Sequence, residues 1–415
     1  MNNWYAIKAL LHDAVDATAN LVGEGHDSAA RLVRRATADT GAIGDAVAAV
    51  DDVRNVITGG VLGAVRGVNR GLETLSDRAL RTLGEAAEVE RDRAVEAPIP
   101  LRSDLPASGR LLGDAALGFL NGAVGDHLST RANGLDMGLV LRHGDRYLPP
   151  DEIRIDGATR RLVVLIHGLS TTEWSWCLDA HNIWGDPQTQ FGALLERDLG
   201  FTPVFVRYNS GRRVERNGRA LSEALDALVA SWPGPLDEIV LLGHSMGGLV
   251  ARAALQTANQ SGAAWRTKVT RVIALGTPHQ GAPFARFGEQ AAGALGAVDV
   301  PATRILSQLI RGRSAGIRDL ELGVVASQEA PLDADLSWHF FAGSAAPEVS
   351  APLAAWLGDL LVPVSSAHGP ADASGAIERQ HVGGVLHHQL QNHREVYEQV
   401  RRACVGAVGS VQTEV

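Results

Sequence analysis

The sequence predicts an α/β protein, a mostly parallel sheet flanked by helices, preceded by an all-helical N-terminal region. Short apolar runs recur along the second half of the chain: "RLVVLIHG", "FTPVFVRYNSG", "DEIVLLGHS", "TRVIALGTPHQG" and "LSWHFFAGS". Runs of that length, rich in Val, Ile and Leu, read as strands covered on both faces. Helical segments fall between them at 187–198, 215–231 and 246–258, and strands alternating with helices build a parallel sheet. The N-terminal region differs. It has no proline before Pro98, and Ile57, Val61, Val65, Val68, Leu72 and Leu75 recur at steps of three and four, the period of a helix with one apolar face.

Taken in order, residues 1–95 form the helical region, where Trp4, Ile7, Leu11 and Val15 also keep helical spacing. Gly59, Gly63, Gly67 and Gly71 add a row at steps of four. Such a row lets helix backbones approach closely, and a contact with a lipid surface or a partner protein is the other reading of this region. Residues 96–110 are a linker, because "EAPIPLRSDLPASG" carries three prolines. The main domain spans 111–405 and opens on a helical stretch at 111–128. "MGLVLRHGDRYLP" then reads as two short strands joined at His143-Gly144-Asp145. Residues 282–335 are longer than a simple crossover needs. They mix Phe284, Phe287, Leu295 and Ile305 with Arg304 and Arg311, which suits either a mobile amphipathic cap or a static inserted layer. Residues 406–415 are a tail.

Composition narrows the function. The 415 residues are 45% hydrophobic and 20% charged with a formal charge of -9, an ordinary globular balance. Lys8 and Lys268 are the only lysines, and no basic stripe tracks a phosphate backbone, which argues against nucleic acid. Cys177 and Cys404 are the only cysteines and read as free thiols of a reducing compartment. His12, Asp13 and Asp16 interrupt the first apolar segment, so it does not have the pattern of a signal peptide. No apolar run approaches the roughly 18 residues of a membrane span. The expectation is a cytoplasmic protein, with a peripheral lipid-surface contact through residues 1–95 as the alternative.

"LLGHSMGG" carries the chemistry. Ser245 lies in G-x-S-x-G, directly after the apolar run Ile239–Leu242 and before the helical run Leu249–Leu255. A serine on a tight strand-to-helix turn holds its Oγ clear of the backbone, and the Met246 N–H sits at the positive end of the following helix. "LIHGLS" ends an earlier strand, and Leu169 there is the candidate for the second N–H that receives an oxyanion. His167, in the same turn, reads as structural. A serine nucleophile needs a base and an acid to orient it, and on a turn of this kind they follow the serine in the order acid, then histidine. Asp359 in "WLGDLLVPVSSA" has that place. Asp333 and Asp335 precede the strand candidate Leu336–Ser344, and Asp372 lies in a polar loop. The base is sought in "HVGGVLHHQLQNHREVY". A metal reading fails there, because the histidines have no acidic partner at ligand spacing. His393 is placed inside the final helix, which leaves His387 and His388.

These segments, with "GTPHQGAP" and "GDLLVPVSSA", resemble the α/β-hydrolase superfamily over about residues 110–405. Within it they resemble bacterial lipases and GPI-inositol-deacylase-like serine esterases. In such sequences the base lies in an H-x-x-L segment shortly before a V-Y helix. His387 fits that pattern, with Leu390 and Val396-Tyr397, and His388 is the runner-up. The resemblance implies hydrolysis of carboxylic esters, of lipids or other hydrophobic acyl groups, with no cofactor or metal. Trp174 and Trp176 follow the oxyanion segment and are candidate walls of an acyl pocket, with packed core as the commoner fate of such large aromatics. An acyltransferase or thioesterase would use the same residues. A binding module docked through the helical N-terminus is the reading from another class. His279 precedes Asp359 and is read as part of a loop near the pocket, and Arg207, Tyr208 and Asn209 end a strand without a derivable role.

Overall fold

The computed structural model describes residues 107–130, 135–149, 153–282, 314–323, 331–346, 358–359, 361–370 and 376–405. The expectations for residues 1–95, for most of the linker, for the tail and for residues 283–313 and 324–330 of the insertion lie outside them, as does Asp372. The unit that carries the sheet comprises Gly118–Ala285 and Ser314–Val415.

Helix α1 (Ala107–Thr130) comes first, starting inside the expected linker and outrunning the expected 111–128 by two residues at its end. Strands β1 (Leu139–His143) and β2 (Arg146–Leu148) form the expected hairpin. Then follow β3 (Arg161–Ile166), a 3₁₀ turn (Glu173–Cys177), α2 (Ala180–Trp184), α3 (Phe191–Leu199) and β4 (Thr202–Tyr208). The chain continues through α4 (Val214–Ala230), β5 (Glu238–His244), α5 (Met246–Ser261) and β6 (Val269–Leu275). Helix α6 (Ala315–Leu322), strand β7 (Ser337–Ser344), helix α7 (Val364–Ala367) and strand β8 (Ala376–Gly383) lead to a 3₁₀ turn (His387–Asn392) and helix α8 (Arg394–Val405). The sheet order is β2-β1-β4-β3-β5-β6-β7-β8, with β1 antiparallel to β2 and β4 and every other pair parallel. This is the α/β-hydrolase fold.

The central strands are apolar throughout because both faces are covered. Leu162, Val164 and Ile166 join the cluster under α4 and α5, with Leu221, Leu225, Leu249 and Trp265. Val163 and Leu165 point the other way, into the cluster of Phe191, Leu194, Val396, Tyr397 and Val400 on α3 and α8. Helix α3 starts at Phe191, later than 187, because the Gln190 side chain caps it by accepting from the Ala193 N–H at 3.1 Å.

One element was not anticipated, and one expectation is corrected. Strand β8 was not legible, since "AIERQHVG" is half charged or polar. It pairs only with β7, and an edge strand carries polar residues on its open side. His393 lies outside the final helix. It is the last residue before α8, where its carbonyl accepts from the Tyr397 N–H at 2.9 Å.

At the end of the sheet where strands begin, Glu238 is buried between Arg161, 2.7 Å away, and Arg271, and accepts from the Thr270 hydroxyl at 2.8 Å. Arg161 donates onward to the carbonyls of Leu199 at 2.9 Å and Cys404 at 3.0 Å, pinning α3 and α8 to the sheet. No helix among the described residues is long and apolar enough to cross a membrane.

Candidate active site

Ser245 sits between β5 and α5 with φ 54° and ψ -124°, a conformation that L-residues avoid. The turn is possible because Gly247 has no side chain: a Cβ there would lie 2.2 Å from the Ile166 carbonyl oxygen. The helix start is thereby pressed against the end of β3. The Ser245 N–H is tied to the Leu275 carbonyl at 2.8 Å. Met246 is the first residue of α5, so its N–H has no carbonyl one turn back within the helix.

Asp359 and His387 meet on the far side of the same strand end. The Asp359 carboxylate is buried, and its Oδ1 accepts the Leu361 and Val362 amides at 3.1 and 2.8 Å. Its Oδ2 accepts from His387 Nδ1 at 2.8 Å. A carboxylate only accepts, so Nδ1 carries a hydrogen, and in the neutral imidazole Nε2 then keeps its lone pair. The Asp359 backbone joins in, its carbonyl accepting the His387 N–H at 3.2 Å. Gly276, next after Leu275, borders this pair: a Cβ there would stand 3.2 Å from both Asp359 Oδ2 and His387 Cε1. The end of β6 thus touches Ser245 on one side and the acid-histidine pair on the other. His388 is half-buried and is not the carboxylate's partner. Burial and the neighbouring His387 hold its pKa below the usual histidine value.

His244, which the sequence did not single out, supports His387 from behind. Its Nε2 donates to the His387 carbonyl at 3.0 Å, and the two rings lie 4.9 Å apart. Burial, with the His387 ring beside it, pushes its pKa well down, so it brings no second positive charge to the site.

The segment after β3 lies directly on Ser245, since a Cβ on Gly168 would stand 3.1 Å from its Cβ. The Gly168 carbonyl accepts from His167 Nδ1 at 2.8 Å and from the Thr171 hydroxyl at 3.1 Å. A peptide is planar and trans, so fixing that oxygen fixes the Leu169 N–H in the opposite direction. His167 is fully buried, stacked on Tyr208 with centroids 4.3 Å apart, and its Nε2 accepts the Tyr208 N–H at 3.3 Å. Burial lowers its pKa to about 4.

The remaining residues separate into packing and support. Trp176 is fully buried beside Phe191 and His244, a core position rather than an open wall. Trp174 is half-buried under the Arg142 guanidinium, 4.1 Å from its ring centroid. Arg207 makes a two-point ion pair with buried Glu173, at 2.7 and 2.9 Å, and the Tyr147 hydroxyl donates to the same carboxylate at 2.7 Å. Burial alone would raise the Glu173 pKa, but Arg207 and Arg142 hold it below the usual value. The pair anchors the 3₁₀ turn behind Leu169. Asn209 donates to the Gly125 carbonyl of α1 at 2.8 Å. His279 is buried edge-on to Phe340, away from the acid. Asp333 and Asp335 pair with Arg266 at the starting end of β7. No group of three or more His, Cys, Asp or Glu among the described residues is arranged to hold a metal ion.

Residues 206–292, from the end of β4 through the Ser245 turn, match the family model of the PGAP1-like alpha/beta domain. No curated protein matches the sequence. Among solved structures the chain is similar to the mature lipase BlEst2 of Bacillus licheniformis, with 17% identity over 60% of this chain and 96% of that one and a TM-score of 0.40. It is also similar to lipase 1 from Pelosinus fermentans, at 14% identity over 60% of this chain and 100% of that one, TM-score 0.39. The RedJ thioesterase from the prodiginine pathway of Streptomyces coelicolor shares 18% identity over 62% of this chain and 93% of that one, TM-score 0.36.

Proposed function

We propose that this chain is a serine hydrolase that cleaves carboxylic esters of hydrophobic acyl groups through an acyl-enzyme. The observation that carries the reading is the 2.8 Å bond from His387 Nδ1 to a carboxylate already held by two amides, beside a serine in the strained turn of a nucleophile. Asp359 fixes the tautomer, and His387 Nε2 removes the proton from Ser245 Oγ as that oxygen attacks the ester carbonyl carbon. The oxyanion of the tetrahedral intermediate is received by the Leu169 and Met246 N–H groups. On collapse the carbon–oxygen bond to the alcohol breaks, and His387 hands its proton to the leaving oxygen. Water then repeats the sequence on the acyl-serine, releasing the acid and restoring the enzyme. The preference for hydrophobic acyl groups rests on the resemblance to lipases and esterases in the sequence and on the match to the PGAP1-like domain.

The test is labelling of the purified protein with a fluorophosphonate, with the modified peptide located by mass spectrometry. Wild type is expected to label at Ser245, Ser245→Ala and His387→Ala to label poorly, and His388→Ala to label like wild type. Folded wild-type protein that takes no label would sink the reading. Rates that do not rise from acetyl to long-chain p-nitrophenyl esters would remove the hydrophobic preference alone.

A further inference from the structure

Ser210 lies in the loop after β4 and is fully buried. It is outside the groups assigned above, yet its hydroxyl oxygen accepts the Ser170 N–H at 3.0 Å. Ser170 immediately follows the oxyanion donor Leu169 and has φ 58°, the left-handed region that a serine ordinarily avoids. Such a conformation persists only where the surroundings impose it. Here they do so from two sides. On one side stands the Ser210 hydroxyl. On the other, α1 lies so close that a Cβ on Gly122 would fall 2.0 Å from Ser170 Oγ and 2.7 Å from its Cα.

The loop that presents Ser210 is itself fixed. The Asn209 amide group reaches the Gly125 carbonyl of α1 at 2.8 Å, and its oxygen accepts the Gly211 N–H at 3.0 Å. Asn217 on α4 donates to the Asn209 carbonyl at 3.0 Å, and the Gly316 N–H of α6 donates to the Gly211 carbonyl at 2.9 Å. Three helices therefore bond to Asn209 and Gly211, the two neighbours of the residue that holds the Ser170 amide.

We infer that Ser210 is a positioning residue for the proposed reaction: through the Ser170 amide it holds the Leu169 N–H in place before the ester arrives. The inference rests on the ester-hydrolase reading and deepens it. An oxyanion donor works because its direction is set in advance and costs no reorganisation during the reaction. The Gly168 carbonyl contacts fix one peptide of the turn, and Ser210 fixes the next. Leu169 stands between two clamped planes.

The experiment compares wild type, Ser210→Ala and the double variant Ser210→Ala/Ser170→Gly. The readouts are fluorophosphonate labelling, steady-state hydrolysis of p-nitrophenyl butyrate across pH, and amide exchange of the peptide covering 167–172. Ser210→Ala is expected to lower kcat about 10-fold, short of the loss of a whole donor, with KM and the pH profile unchanged and exchange of the peptide faster. Adding Ser170→Gly, which sits at positive φ without strain, is expected to return most of the lost kcat. A folded Ser210→Ala protein with wild-type kcat, or a loss that the glycine does not recover, would overturn the inference. If the alanine variant does not fold, Ser210→Cys keeps the volume with a weaker acceptor, and its kcat decides in the same way. Wild-type protein that fails to label at Ser245 would instead overturn the hydrolase reading, and the inference with it.

Discussion

Both ends of the parallel sheet bury polar groups, but on opposite terms. Where the strands begin, Glu238 is set between Arg161 and Arg271, opposite charges are in contact, and the arginines also reach helix carbonyls. Where the strands end, the three non-glycine residues with positive φ are Ser170, Asp179 and Ser245 among the described residues, following β3 and β5. His244 Nδ1 and His279 Nε2 are buried there without a hydrogen-bond partner. The starting end is held together by complementary charge. The finishing end has a buried ion pair of its own, Glu173 with Arg207, but among the described residues it alone carries non-glycine residues at positive φ, the pattern expected when geometry is held for chemistry rather than for stability.

If that division is right, changes at the finishing end should alter rate more than stability, and changes at the starting end the reverse. The largest effect is expected from Asp359→Asn. The amide would present a donor to His387 Nδ1 and favour the wrong tautomer, so kcat on a p-nitrophenyl ester should fall about 10⁴-fold with the thermal midpoint close to wild type. A variant that keeps most of its rate would show that the pair has no part in the reaction. Next is Glu238→Ala, which leaves the buried Arg271 and the half-buried Arg161 without their anion. It should cost about 3–5 kcal/mol in urea unfolding, while the activity per folded molecule stays near wild type. A cost below about 1 kcal/mol would mean that the starting end is not held by charge.

His167 gives the third effect. Its folded pKa of about 4 lies below the usual histidine value because burial disfavours the cation. The unfolded chain therefore takes up a proton on acidification that the folded chain does not. Stability is lost as pH falls from about 6.5 to about 4, by about 3 kcal/mol, and the slope then levels off. His167→Asn, which keeps a donor for the Gly168 carbonyl, should flatten the dependence by about one proton. Urea unfolding of both proteins at a series of pH values measures it, and parallel curves would refute the assignment. The smallest effect separates Ser245→Gly from Ser245→Ala. Both should be inactive, but glycine relieves the φ of 54° and should be more stable by about 1–2 kcal/mol. Equal midpoints would mean that the turn stores no strain.

What could be read from the sequence follows the same division. The central strands and helices α4 and α5 were legible because burial on both faces leaves an apolar signal in each segment. Strand β8 was not, since its open edge makes "AIERQHVG" look like a loop. Ser245, Asp359 and His387 were singled out by chain order and motif, and the structure brings the last two into contact. The support around them left no such trace. Glu173 and Arg207 are 34 residues apart, as Ser170 and Ser210 are 40, and nothing local marks either partner. Arg207 was visible only as a charge ending an apolar strand, an anomaly that pointed to a buried partner without naming it. The tryptophans after β3 had two readings, pocket wall or packed core, and Trp176 went to the core.

The carbonyl of Cys404 accepts from Arg161 at 3.0 Å and from Arg271 at 3.3 Å, across 243 and 133 residues of chain. On a ribosome, β3 and β5 emerge long before that carbonyl exists, and so does the Ser245 turn. Until α8 is made, the starting end of the sheet lacks the Cys404 carbonyl that accepts from its two arginines, and until shortly before that the finishing end lacks His387. Contacts of such separation pay loop-closure entropy early and are rewarded late. The nascent chain therefore carries Ser245 through the next 142 residues of its synthesis without His387, and α8 closes the sheet shortly after that histidine arrives.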